Sequence, residues 1–226
     1  MFWQETQSKD LFQPPEDIFD LAFKVEGQYL HLDHAFDLAL ALEQLLGAEV
    51  CQNIGVHQIR MAESGNGWKR PEDDGRIMLS HRARLVIRTG LAHQAQVSAL
   101  SGQSLQLGDF TLGLGRAGKR PLSTLSTLHS RAIVADDGQA EEDFLQQIAE
   151  QLADQGIRVS RMICGTSGTI SMKDKTVFTR SLMIADLTAQ ESVLLQRNGI
   201  GEDQLLGCGL FIPHKGIDAV GSEQQK

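Results

Sequence analysis

Residues 196–212 read QRNGIGEDQLLGCGLFI and contain two spaced glycine pairs, Gly199 with Gly201 and Gly207 with Gly209. Glycine adopts positive φ angles without a Cβ clash and lets a ligand approach the main chain closely. Successive main-chain N–H groups in such a loop form concavities that bind anions. The stretch therefore predicts a loop whose free N–H groups face a phosphate-bearing ligand outside the protein.

The order of elements around this loop separates it from a dinucleotide-binding motif. A G-x-G-x-x-G motif of that class follows a strand and opens a helix. Here the glycines follow a helix that begins at a capping box of Thr188 and Glu191, and they precede a strand at 210–213. A simpler interpretation is a helix that ends at Gly199 and is followed by a tight turn. The second glycine pair favours the ligand-binding loop.

Composition indicates a globular chain that works without a metal or cofactor. The 226 residues are 41% hydrophobic, which is enough for two domains of about a hundred residues each. No apolar stretch approaches the roughly 20 residues of a membrane span, and 1–16 has no signal-peptide character. We therefore expect a cytoplasmic protein. Cys51, Cys164 and Cys208 have no metal-binding spacing, which predicts buried free thiols.

The charge is unevenly distributed along the chain. The formal net charge of −8 argues against unselective nucleic-acid binding, which needs a basic surface. Residues 76–120 nevertheless carry seven lysines and arginines against one aspartate, and residues 158–180 carry five against one. Residues 121–156 carry one arginine against seven carboxylates. This pattern predicts a basic face for one nucleic-acid element, although ordinary solvated surfaces give similar runs.

Hydrophobic periodicity divides the first half into six elements. Strands show apolar alternation, and helices show apolar residues three or four positions apart. Asp33 is a predicted helix cap, and Gly47 is the corresponding stop signal. The predicted order is strand 18–25, helix 33–47, strands 56–62 and 82–88, helix 91–100 and strand 110–114.

The second half repeats this order. Its predicted elements are strand 131–135, a helix that ends at Gly156, strands 157–162 and 176–184, the helix after Thr188 and strand 210–213. Each half is therefore β-α-β-β-α-β, and the segment 113–127 is the predicted junction. The sequence predicts an α+β protein of two tandem ferredoxin-like (RRM-like) domains, at 1–122 and 123–226.

Three short motifs carry a resemblance to a known family. They are Asp33-His34 at the start of the first helix, Gly55-Val56-His57 leading the second strand, and the run from Gly207 to Lys215. With the tandem fold, they resemble the CRISPR-associated repeat-RNA endoribonucleases of the RAMP superfamily, and more narrowly the MYXAN-type subgroup. Gln58 departs from the pattern, in which proline follows the histidine.

The resemblance implies metal-independent cleavage of precursor CRISPR RNA. In that chemistry a 2′-hydroxyl attacks the neighbouring phosphorus, which leaves a cyclic phosphate and a 5′-hydroxyl. Histidine suits the proton transfers, and lysine or arginine stabilises the phosphorane. The resemblance selects His34 as the catalytic histidine, His57 as a second candidate and Tyr29 as a third. Read without the resemblance, each of these histidines is an ordinary structural residue.

Repeat RNA, in the form of a hairpin, is the expected partner, together with other subunits of a CRISPR effector complex. The predicted RNA contacts form three groups. The first is the glycine loop with Lys215, and the second is a glycine-bearing loop with Arg116, Lys119 and Arg120. The third lies near the second-half hairpin and contains Arg158, Arg161, Lys173, Lys175 and Arg180. Aromatic residues make up only 5% of the chain, which favours recognition of an A-form stem by its shape over base stacking. Trp68 is the candidate for an exposed stacking residue.

Two other classes of protein fit parts of this pattern. A non-catalytic RAMP subunit that holds guide RNA would keep the fold, the glycine loop and the basic patches without needing His34. A small-molecule-binding protein with tandem ferredoxin-like domains would use the glycine loop only as a turn. Salt-dependent binding of RNA separates the small-molecule binder from both of the others.

Overall fold

The computed structural model describes residues 12–59 and 75–214. The first half contains seven strands and three helices in the described residues. These are β1 (Ile18–Glu26), β2 (Tyr29–His31), α1 (Ala35–Leu46), α2 (Ala48–Cys51), β3 (Gly55–His57), β4 (Arg76–Met78), β5 (Arg84–Gly90), α3 (Gln94–Ser98), β6 (Ser104–Leu107) and β7 (Phe110–Arg120). An antiparallel sheet has the order β3-β5-β1-β7-β6, while β2 and β4 form a separate pair.

The second half is built in the same way. Its elements are β8 (Leu128–Val134), α4 (Glu141–Asp154), β9 (Arg161–Ser171), β10 (Thr176–Ala185), α5 (Ala189–Asn198) and β11 (Phe211–Pro213). The sheet order β11-β8-β10-β9 places the first and last strands side by side, as in ferredoxin-like folds. Apart from the additional β2, β4, β6 and α2, the first half has the same arrangement. The predicted tandem ferredoxin-like fold is confirmed.

Alternation along the strands decides which face of each sheet is buried. In β1, Phe19, Leu21 and Phe23 are at most 4% exposed and point into the first core. Helix α4 covers the second sheet with Phe144 and Leu152, which are fully buried in the second core. Each half therefore buries its own apolar side chains, as a ferredoxin-like unit requires.

A small third core joins the two halves. It contains alanines from α1, apolar side chains from the β9–β10 hairpin, and Leu206 and Cys208 from the glycine-rich segment. All three cysteines are free as predicted, but Cys164 is only partly buried. None of the helices within 12–59 and 75–214 is long and apolar enough to cross a membrane.

The strands predicted at 157–162 and 56–62 have different bounds in the structure. The strand expected at 157–162 begins instead at Arg161 and runs to Ser171, so it includes the Gly/Thr/Ser stretch that was expected to be a loop. Hydrogen bonding to β10 along its length overrides the low strand propensity of Gly165 and Gly168. The strand expected at 56–62 covers only 55–57, and 60–62 lie outside the described residues.

The last strand of the first half is longer than predicted. Arg116, Lys119 and Arg120 lie on β7 and not in a loop, because β7 pairs with β1 along most of its length. Strand β6, which forms a hairpin with β7, was not predicted from the sequence. The link between the two sheets is therefore the shorter segment 121–127, and the domain boundary at 122/123 stays a prediction.

Candidate functional site

His34 lies immediately before α1 and is almost completely buried, at 4% exposure. Its Nε2 accepts a hydrogen bond from the main-chain N–H of Ile59 at 3.1 Å, so the ring proton belongs on Nδ1. Nδ1 donates to the carbonyl oxygen of His31 at 3.0 Å. Burial lowers the pKa of His34, although hydrogen bonds and the carboxylates of Asp33 and Asp37 oppose that shift. The imidazole is therefore neutral at neutral pH.

The tip of the β9–β10 hairpin lies beside this histidine. Asp33 does not cap α1 as predicted, because its Oδ2 instead accepts a hydrogen bond from the N–H of Ser171 at 2.8 Å. The turn that follows is closed by a 2.9 Å bond from the N–H of Met172 to the carbonyl oxygen of Lys175. Lys173 and Lys175 are both exposed in that turn. The fold thus brings the turn that carries two predicted RNA contacts of the second half to Asp33, the residue before the predicted catalytic histidine.

Tyr29 belongs to a different environment. It lies on β2 opposite Met78, and the guanidinium of Arg76 stands 5.5 Å from the centre of its ring. A cation in that position is attracted to the face of the aromatic ring, but it cannot accept a proton from the phenol. Tyr29 remains a candidate by resemblance alone.

A cleft of about 560 Å³ opens between the two sheets. Four arginines line it: Arg82, Arg84 and Arg120 from the first half and Arg131 from the second. Of these, the sequence analysis named only Arg120 as an RNA contact. Arg82 and Arg84 alternate at the start of one predicted strand and Arg131 opens another, but this pattern does not show that the strands face each other. The cleft is a basic surface within a chain of negative net charge.

His57 also lines this cleft. Burial lowers its pKa to about 4, the positive charge of Arg88 adds to the shift, and Asp20 opposes it. Among the described residues, its buried Nε2 has no hydrogen-bond partner. His57 is therefore a neutral histidine in a basic cleft.

The other predicted RNA contacts have varied surroundings. Arg116 and Arg158 are exposed, and Lys119 stands 4.0 Å from the ring centre of Phe19. Arg161 forms a 2.7 Å ion pair with Asp186. Arg180 donates to the carbonyl oxygen of Gln139 and covers the ring of Phe144. The two engaged arginines stabilise the second half, while Lys215 and Trp68 lie outside the described residues.

The glycine loop is bonded internally. Gly199, Gly201, Gly207 and Gly209 all have positive φ, between 65° and 87°, as predicted. The N–H groups of Gly199, Gly207 and Gly209 donate to carbonyl oxygens of the protein, the last of them to Ala132 at 2.7 Å. The prediction that the N–H groups of this loop are free is wrong for these three residues. A buried N–H group needs a partner, and here the chain supplies it.

Close approach between protein segments explains the glycines. A Cβ at Gly207 would stand 3.0 Å from the carbonyl oxygen of Val56, and a Cβ at Gly209 would stand 1.8 Å from that of Ile200. Gly207 thus lets the loop pack against β3, beside His57, and it lines the cleft itself. RNA contact by the glycine loop stays a prediction, and the cleft is where Gly207 would make it.

Fold and cleft together define a protein of two ferredoxin-like units with a basic cleft between them. A family model described as Cas6 Crispr matches residues 19–216, and the chain belongs to the Cas6 family. The chain is 25% identical over 195 residues to the CRISPR-associated endonuclease Cas6 of Myxococcus xanthus (strain DK1622). That alignment covers 86% of this chain and 80% of the relative.

Solved structures share the fold at low sequence identity. A structure from the characterization of a Cas6-related gene from Pyrococcus furiosus has a TM-score of 0.61 at 12% identity, covering 86% of this chain and 98% of that one. The CRISPR endoribonuclease Cse3 bound to a 19-nucleotide RNA has a TM-score of 0.51 at 10% identity, covering 86% and 97%. At identities this low, the structural similarity establishes the fold alone, and the MYXAN-type subgroup stays a prediction.

The surroundings of His57 predict a pH-dependent stability. The pKa of His57 is lowered from 6.5 to about 4 in the folded protein. In the pH window between these two values, the unfolded chain therefore binds a proton that the folded chain does not. We expect the free energy of unfolding to decrease as the pH falls through this window, and less steeply in His57→Gln. Urea denaturation at about pH 7.5 and pH 4.5 measures this, and His34 contributes part of the remaining slope. Equal slopes in the two proteins would contradict the environment described for His57.

The close approach at Gly209 predicts a loss of stability. Gly209 and Gly138 have similar φ, 65° and 69°, so an alanine at either position carries a backbone penalty of about 1–2 kcal/mol. A Cβ at Gly138 would meet nothing within 4 Å, whereas at Gly209 it would clash. We expect Gly209→Ala to lose roughly 3 kcal/mol or more, and Gly138→Ala only the backbone penalty. Equal urea midpoints for the two variants would show that the loop tolerates a side chain.

Proposed function

We propose that this chain is an endoribonuclease that binds CRISPR repeat RNA and cleaves it to produce guide RNAs. Its membership of the Cas6 family and its similarity to an endonuclease of Myxococcus xanthus support this. The observation that carries the proposal is the hydrogen bond between Asp33 and Ser171, because it joins the lysine-bearing β9–β10 turn of the second half to the residue before the buried His34 of the first.

The proposed cleavage site is at the start of α1. His34 is neutral and can take a proton from the attacking 2′-hydroxyl. Histidine is also suited to protonating the 5′-oxygen that leaves. Lys173 and Lys175 would stabilise the negative charge of the phosphorane. Nε2 of His34 accepts a hydrogen bond from the N–H of Ile59, so this N–H must move away when His34 takes a proton. Side chains alone supply this chemistry, and we propose that it needs no metal.

The basic cleft would hold another part of the same RNA. Its arginines come from both halves, so an RNA strand in the cleft would be contacted from two sides. Phosphate contacts of this kind give affinity that depends on salt and on RNA shape. His57 would contact the RNA there. The other effector subunits and the cytoplasmic location stay predictions.

A second candidate function follows from the hydrogen bonds of His34. Both of its ring nitrogens are bonded to main-chain groups, which is the arrangement of a structural histidine. This observation favours a non-catalytic RAMP subunit that binds guide RNA without cutting it. Cleavage assays separate the two functions.

Purified protein should cleave its cognate repeat RNA in the presence of EDTA and leave a 5′-hydroxyl and a cyclic phosphate. A repeat with one 2′-deoxy substitution at the cleavage position should bind equally well but stay intact, because its nucleophile is missing. Denaturing gels and end-group analysis measure both results. Cleavage of the 2′-deoxy repeat would refute the mechanism, and binding without cleavage of the normal repeat would establish the non-catalytic function.

His34→Ala should reduce single-turnover cleavage by roughly 10²- to 10⁴-fold with little change in RNA affinity, because it removes the proton-transfer group. His93→Ala is the matched control, since His93 lies on a separate 3₁₀ turn at 91–93. We expect the control to cleave at the parental rate, and His57→Ala to weaken RNA binding. If His34→Ala cleaves normally and His57→Ala does not cleave while still binding RNA, the catalytic group is in the cleft.

A further inference from the structure

The side chain of Arg88 bridges the two halves from a buried position. Arg88 lies on β5 and is 3% exposed. Its Nε donates to Oδ1 of Asp20 at 2.8 Å, and its Nη2 donates to Oδ2 at 3.1 Å. Its Nη1 donates to two carbonyl oxygens of the second half, those of Gln196 at 2.7 Å and Phe211 at 3.1 Å. One guanidinium therefore holds the end of α5 and the start of β11 against the first sheet.

Gln196 extends this contact to the link between the halves. Its Oε1 accepts from the N–H of Ser123 at 3.0 Å, and its Nε2 donates to the carbonyl oxygen of Ser123 at 2.6 Å. Ser123 belongs to the segment between β7 and β8. The guanidinium, the end of α5 and the linker thus form one hydrogen-bonded unit at the base of the cleft, which Asp20, Ser123 and Gln196 also line.

The hydrogen bonds of Arg88 hold the two halves together and also fix the direction in which they meet. Buried ion pairs are often no more stabilising than apolar side chains of the same volume, because desolvation offsets the attraction. The planar fork of arginine, however, fixes the directions of its donors, and lysine cannot reproduce them. Arg88 aims two donors at one carboxylate of the first half and a third at two carbonyl groups of the second.

We propose that Arg88 is a positioning residue that sets the second sheet against the first and so brings Arg131 into the same cleft as Arg82, Arg84 and Arg120. Its loss would leave each half folded but would let the halves change their relative position. RNA would then be contacted by arginines of one half at a time. The RNA part of this inference rests on the proposed function, whereas the positional part does not.

The test compares Arg88→Lys with Asp20→Asn and with a control of reduced stability. Leu152→Ala is the control, because Leu152 is buried in the second core and away from the cleft. Asp20→Asn is the milder change, and it carries the test if Arg88→Lys does not fold. All measurements are made well below each melting temperature. Hydrogen–deuterium exchange without RNA reports on 55–59 and 204–209, which meet across the interface in the contact between Gln58 and Leu206.

We expect faster exchange in both segments for Arg88→Lys and Asp20→Asn, and wild-type exchange there for Leu152→Ala. Affinity for repeat RNA should fall at least about tenfold in the two variants, with a salt slope smaller by about 1, and stay unchanged in the control. Unchanged exchange and affinity in the folded variants would overturn the inference. If wild-type protein does not bind repeat RNA, the proposed function fails and exchange alone decides the role of Arg88.

Discussion

A charge buried between two domains must be paired and hydrogen-bonded, and the arrangement of this protein depends on how Arg88 meets that constraint. The partners come from both halves: a carboxylate of β1, and the carbonyl groups that end α5 and begin β11. Any large shift of the second sheet would leave the guanidinium short of acceptors at considerable cost. The cleft, its four arginines and the neighbouring His57 are arranged around this contact.

The two halves contribute different chemistry to the same interface. The first provides His34 and His57, and burial lowers the pKa of each, so that they are neutral at neutral pH. The second provides the lysines of the β9–β10 turn and Arg131. Its helix α4 carries three carboxylates in its first turn, where they interact favourably with the positive end of the helix dipole. The acidic residues of that helix thus contrast with the four arginines that line the cleft between the sheets.

The sequence predicted helices and strands well where the local pattern also decides which of their residues are buried. Apolar alternation in β1 and the capping box of Thr188 and Glu191 are both present as expected. The pattern failed at Asp33, whose carboxylate bonds to Ser171 across the interface, and along β9, where pairing with β10 extends the strand through Gly165 and Gly168. In both places a partner far along the chain overrides the local preference.

The sequence by itself determined the tandem fold, the four positive-φ glycines and the set of candidate residues, because periodicity, caps and glycine conformations are local properties. Only the tertiary structure decided how those residues are grouped. It buried His34 against main-chain groups, joined the β9–β10 turn with Lys173 and Lys175 to the neighbouring Asp33, and assembled a cleft from Arg82, Arg84, Arg120 and Arg131. Asp33 and Ser171 are 138 residues apart in the chain. Contacts at such separations follow from how the two sheets pack, which no local pattern encodes.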